Sequence, residues 1–369
     1  MKTRSLFFCF MFFLSFLAAG KAEASLLWWG SLDVNSDNNV FRDYSGEKDV
    51  YYQLDFSVGN RIDELPTLIW DYELYLEKFS TYSSEDFHSH NLNLLFRSRE
   101  DMALLDLNAG ANFSFQFKDK TFNYTDFYLS GMYRWEWTDV TLGLKYDADL
   151  YTFPDYPQLS SFQNAPSAFF SLDLWPGTTL DLDAVYHYIL YRDRYVLDEE
   201  GYQTSDLVRT GRAFLDGSLT QVIFDVLRIT AGYLYEWNDS NENFYFSGPE
   251  ETNMILSGDE MIVKNYADYH ASGLKCHIFW NVLEPFSVYS RFLYQEKKYS
   301  QRQPYDSAGM LMTDKKLSEK ITDWTIGVEM NLTDFMNIHG EYEFYRDDSN
   351  DYFLKGSAVR YQAGVKIFF

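Results

Sequence analysis

Over residues 105–117 apolar and polar positions alternate without interruption: Leu105, Leu107, Ala109, Ala111, Phe113, Phe115 and Phe117 stand against Asp106, Asn108, Gly110, Asn112, Ser114 and Gln116. A period of two held this long predicts a strand with one apolar and one polar face. Strands of soluble domains run about 5 to 6 residues, whereas a tilted strand that crosses a bilayer needs about 9 to 11. Length therefore points to a membrane. The alternation returns in Val140, Leu142, Leu144, Tyr146, Ala148 and Leu150, in Leu180, Leu182, Ala184, Tyr186, Tyr188 and Leu190, and in Thr322, Trp324, Ile326, Val328, Met330 and Leu332.

Short connections at 137–139, 175–177, 224–226, 281–285 and 332–335 alternate with long polar ones near 151–165, 192–210, 238–264 and 297–319. Short inner turns against long outer loops are the pattern of a bacterial transmembrane barrel. The reading is all-β: a single antiparallel β-barrel of about sixteen strands, with fourteen and eighteen the neighbouring counts. An even count puts both termini on the inner side. Segments 211–224 and 265–280 lose phase midway, which reads as bulges. No linker or change of period marks a second domain.

Composition supports this picture. Aromatic residues make up 19% of the chain while mean hydropathy is −0.34, a combination that suits strands with one lipid face and one water face. Trp137, Trp175 and Trp280 fall beside short turns and Trp237 beside a long loop, as interfacial rings do. The competing reading is a soluble β-sandwich or propeller with core tryptophans.

Residues 1–24 have the parts of a secretory signal: Lys2 and Arg4, an apolar run over 6–19, and Ala22-Glu23-Ala24 as the cleavage pattern. That run is shorter than the roughly 20 residues of a membrane helix. Cleavage leaves 25–369 as the barrel. Cys9 lies inside the run, so it is no lipoprotein cysteine, and Cys276 is the remaining thiol. No metal or haem spacing surrounds either, and no cofactor is expected. The formal charge of −24 becomes −26 once Lys2, Arg4, Lys21 and Glu23, net +2, are removed. So acidic a chain is a poor nucleic-acid binder.

The final residues QAGVKIFF resemble the terminal strand by which outer-membrane barrels engage the barrel-assembly machinery: Gln362 is the polar residue, Gly364 follows, Ile367 is the hydrophobe and Phe369 the terminal aromatic. The resemblance implies a porin-like outer-membrane barrel, with outer-membrane lipid and the assembly machinery as its partners. It implies a class and no activity.

Phase and strand direction together place charges by height. Glu73, Glu77, Asp126, Asp147, Asp149, Glu236, Asp323, Glu341 and Glu343 fall on the polar face toward the outer mouth, and Arg134, Arg228 and Lys366 toward the periplasmic end. Rings of carboxylates select cations; charges paired with one another would not. Residues 238–264 are the candidate for a loop folded inward. Asp33, Asn35, Asp37 and Asn39 are spaced like the opening of a calcium loop, but Asn38 and Tyr44 occupy the positions of its Gly and Glu. Alternating polar residues at a strand end explain them.

Of His88, His90, His187, His270, His277 and His339, His187 and His339 fall on the polar face. No nucleophile motif accompanies them, so an enzyme is not expected. The expectation is a channel for passive passage of small hydrophilic or cationic solutes. The alternatives are the membrane sleeve of an export or electron-conduit assembly with a periplasmic or extracellular partner, and a structural or adhesive surface barrel. A homo-oligomer is compatible with all three.

Overall fold

The computed structural model describes residues 25–39, 46–62, 67–118, 123–198, 200–246 and 261–368. Residues 1–24, expected to be a signal, and the terminal Phe369 lie outside them. The outward and inward strands alternate as β1 (Ser25–Asp37), β2 (Asp49–Ile62), β3 (Thr67–Phe79), β4 (Phe87–Glu100), β5 (Ala103–Gln116), β6 (Tyr124–Glu136), β7 (Val140–Thr152) and β8 (Ser161–Trp175). They continue as β9 (Thr178–Leu197), β10 (Gln203–Ile223), β11 (Leu227–Ser240), β14 (Tyr269–Leu283), β15 (Phe286–Tyr299), β16 (Ser318–Thr333), β17 (Met336–Asp347) and β18 (Gly356–Phe368). Between β11 and β14 a small two-stranded sheet pairs β12 (Phe244–Phe246) with β13 (Met261–Val263).

Among the described residues, sixteen strands close into one antiparallel barrel in which β1 pairs with both β2 and β18. The shortest is β17 at 12 residues, enough to cross a bilayer. Strands β9 and β10, of 20 and 21 residues, exceed that span.

The two faces separate as the alternation requires. Leu107, Leu129, Leu144, Leu182, Leu215, Tyr233, Leu274 and Val328 are exposed. In the opposite phase of the same strands Asp106, Asp126 and Thr325 are buried. In a water-soluble protein that pattern would be inverted, so the exposed apolar row is the face that meets lipid and the polar row lines the lumen. Trp137, Trp175, Trp237 and Trp280 are exposed at strand ends, where interfacial rings are accommodated.

The bulges expected midway through 211–224 and 265–280 are absent. β10 pairs in unbroken register with β11 over 210–223, and β14 with β15 over 269–281. The irregularities lie at strand ends, between Gln203 and Arg209 and between Asn281 and Leu283. The phase is lost because some apolar residues face inward. Phe214 stacks edge-on with His187 and under Arg212, and Ala271 is fully buried in a cluster with Tyr269, Tyr299 and Leu317.

Candidate functional site

The lumen wall is the chemically active surface, and each sequence-predicted charge occupies it at a definite strand position. Glu77, Asp126 and Asp149 lie near the outer ends of β3, β6 and β7, and Glu73, Asp147, Glu236, Glu341, Glu343 and Asp323 lie deeper on their strands. Arg134, Arg228 and Lys366 fall near the inner ends of β6, β11 and β18. Arg134 pairs with Glu136 at 2.6 Å. Lys366 stands over the Trp29 ring, 4.6 Å from its centroid.

Cations that share the polar phase divide these carboxylates into two groups. On β10 to β18, Arg212 pairs with Glu236 at 2.5 Å, Arg291 with Glu341 at 3.1 Å, Lys297 with Glu319 at 3.6 Å, and Arg360 with Glu343. Tyr269 donates to Glu236 and Tyr289 to Glu341. On β2 to β7 the cations are already engaged: Arg97 with Asp106, Arg99 with Glu136 and Lys145 with Asp147. Asp55, Asp71, Glu73, Glu77, Asp126 and Asp149 of that wall have no ion-pair partner among the described residues. The alternation could have located Arg212, Arg291, Lys297 and Arg360 as readily as the acids, since they are in the same phase. It could not have said which wall each would occupy.

Tyrosines lie flat against this wall where glycine leaves room. Tyr128 covers Gly110 of the neighbouring strand, where an added Cβ would overlap its ring. Its hydroxyl reaches Asn91 Oδ1 at 3.1 Å and Asn93 Oδ1 at 3.3 Å. Tyr289 covers Gly327 in the same way. Without a Cβ beneath it, a ring can pack on backbone and keep clear of the lumen.

At the seam, Asp33, Asn35 and Asp37 alternate along the buried face of β1. Asp33 Oδ1 is 2.6 Å from His339 Nε2, Asn35 donates to Gln53, and Asp37 accepts from the Asn39 N–H at 2.7 Å. These are strand-face contacts. Among the described residues no group of three or more His, Cys, Asp or Glu side chains is arranged to hold a metal ion, and Tyr44 lies outside them.

Three outer loops shape the mouth. Leu317, at the end of the β15–β16 loop, is buried against Tyr269, Ala271 and Tyr299, with Leu354 of the β17–β18 loop beside it. The Tyr305 N–H donates to Asp351 at 2.9 Å, and Arg302 stacks over Tyr266 of the β13–β14 connection. Residues 247–260, most of the segment expected to fold inward, lie outside the described residues. The loop that carries a packed core is 300–317.

No family model matches the chain, and no curated protein matches it in sequence. Solved structures align with it over most of its length. The crystal structure of Acinetobacter baumannii OccAB3 aligns with a TM-score of 0.50 at 8% identity, over 94% of this chain and 99% of that one. The outer-membrane expressed OmpT of Vibrio cholerae aligns at 0.49 and 10% identity, over 95% and 99%. An anion-selective porin from Comamonas acidovorans aligns at 0.48 and 11% identity, over 95% and 100%. The OccAB3 likeness, at 8% identity, concerns fold alone, and with the apolar belt and closed strand order it gives one conclusion: the chain has the fold of the bacterial outer-membrane β-barrels.

Proposed function

We propose that residues 25–369, released from the 1–24 signal, form a porin-like channel of the outer membrane that passes small hydrophilic solutes and prefers cations. Barrels of 16 to 18 strands commonly enclose an aqueous channel, whereas about eight strands fill with side chains. The observation that carries the preference is the set of carboxylates on β2 to β7 without ion-pair partners. Carboxylates in a low-dielectric channel wall concentrate counter-ions and repel anions.

The reading is passage, not catalysis. His339 is held by Asp33 and His187 lies against Phe214, while His277, which the sequence reading did not put on the polar face, shares the lumen phase of β14 with Lys275 and lies near Arg291; no recognisable nucleophile motif accompanies them. Reconstitution into a planar bilayer tests it: discrete conductance steps in potassium chloride are expected, together with liposome swelling by small neutral and cationic solutes. A barrel that inserts fully and passes no current contradicts the channel.

A further inference from the structure

The cations of the lipid-facing phase are not spread evenly over the barrel. In the inner halves of the strands that phase holds no lysine or arginine among the described residues; those that lie there, such as Arg134, Arg228 and Lys366, are in the lumen phase. At the outer ends of three adjacent strands it holds Lys298 of β15, Lys320 of β16 and Arg346 of β17, all exposed. Their sequence neighbours Tyr299, Glu319 and Asp347 are buried on the inward side. His270 of β14 is exposed in the same phase, directly opposite Lys298.

Register gives this patch a height and a spacing. His270 is also paired with Trp237 of β11, an exposed ring of the kind that sits among lipid headgroups. Lys298 is opposite Ser318 and Arg346 opposite Thr322, which puts both on the diagonals of Lys320, at about 7 to 8 Å. Lys298 pairs with Glu296 at 3.0 Å and Arg346 with Asp348 at 2.8 Å. Exposed pairs of this kind are weak, so a second anion can share either cation. Lys320, between them, has no ion-pair partner among the described residues. The patch therefore keeps a positive excess on a chain whose formal charge is −24. On the membrane side of it the same phase carries Phe292, Trp324 and Phe344, which are cross-strand partners in one row.

We propose that this face docks the phosphorylated glycolipid of the outer leaflet, with Lys298, Lys320 and Arg346 holding its phosphates and the row of Phe292, Trp324 and Phe344 receiving its acyl chains. Cations clustered at the end of a membrane span attract anionic headgroups, and arginine takes phosphate oxygens through two N–H donors. Cations on three strands suit a headgroup that carries more than one phosphate. The proposal rests on the outer-membrane fold and not on the channel reading, so conductance has no part in its test.

The probe is bisphosphorylated lipid A, titrated into the purified barrel in neutral detergent and read by native mass spectrometry as lipid bound per barrel. Saturable binding is expected. Lys320→Gln/Arg346→Gln should weaken it at least ~10-fold, and so should removal of both phosphates from the lipid. Lys48→Gln/Lys118→Gln, which removes two exposed charges from the β1–β2 and β5–β6 connections, should leave it unchanged. No saturable binding, equal weakening by Lys48→Gln/Lys118→Gln, or equal affinity for the dephosphorylated lipid would overturn the proposal. A barrel that is oligomeric in detergent and turns monomeric in Lys320→Gln/Arg346→Gln would assign the face to a second copy and overturn it as well. The variant is accepted only with an unchanged urea unfolding midpoint; if it fails this, Lys298→Gln and the dephosphorylated lipid carry the test.

Discussion

Asp33 on the first strand and His339 on β17 meet at 2.6 Å across the last strand, directly above Gly364. A Cβ at Gly364 would overlap the Asp33 carboxylate. Gly364 therefore has a local structural role besides its place in the terminal sequence pattern: it lets two side chains from flanking strands join over the closing seam. Gly364→Ala is expected to lower stability by about 1 to 3 kcal/mol, as overpacking does. Urea titration followed by gel mobility of the folded form measures it. Asp33→Ala in the same chain should recover part of the loss, because it vacates the space.

The Tyr289 ring occupies the room above Gly327, and all three of the atoms an added Cβ would meet there are Tyr289 side-chain atoms. Gly327→Ala should lift the ring off the wall and toward the lumen. The expected outcome is a lower single-channel conductance at an unchanged strand content by circular dichroism. Equal conductance would mean that Tyr289 does not border the conducting path.

Exposed Arg291 pairs at 3.1 Å with the largely buried Glu341 on the wall whose charges cancel. Removing either partner should uncover the other. Arg291→Gln is expected to raise the cation-to-anion permeability ratio and Glu341→Gln to lower it, both read from reversal potentials. Shifts of the same sign in both variants would show that the pair acts through structure and not through charge.

Leu317 is 1% exposed within the cluster that holds the 300–317 loop onto the barrel rim. Leu317→Ala should forfeit about 2 to 5 kcal/mol of packing. Because Leu317 meets the cluster from the loop, at the outer ends of β14 and β15, the effect is expected to be local: faster protease cleavage within 300–317, while the rest of the barrel stays resistant.

Phe224 and Asp225 turn the chain between β10 and β11 with φ of 51° and 57°. A side chain in that left-handed region costs roughly 1 to 2 kcal/mol, and asparagine tolerates it best among non-glycine residues. Phe224→Asn is therefore expected to stabilise the barrel by about 1 kcal/mol, as a higher urea midpoint.

The strand framework was legible in the sequence because a membrane barrel writes its faces into a strict two-residue period. The row from Leu105 maps onto β5, and Glu73, Asp126 and Glu341 lie on β3, β6 and β17 in the polar phase. Three features were not legible, for physical reasons. Period two gives a residue's face but not its neighbours around the barrel, so the pairing of Arg212 with Glu236 was hidden. Apolar side chains that face the lumen, such as Phe214 and Ala271, imitate a slipped register. The Leu317 cluster joins residues far apart in the chain, and no local pattern announces it. Gly364 was visible as a residue, but its need for space depends on Asp33 and His339 meeting there.

In the proposed function, the carboxylate wall on β2 to β7 makes this barrel a cation-preferring channel. Its most direct test is the reversal potential of the reconstituted protein across a tenfold potassium chloride gradient at neutral pH, with the Glu73→Gln/Asp149→Asn variant measured alongside. Cation selectivity that falls in the variant at unchanged folding is expected. A reversal potential of the opposite sign, or one that the two substitutions leave in place, would contradict it.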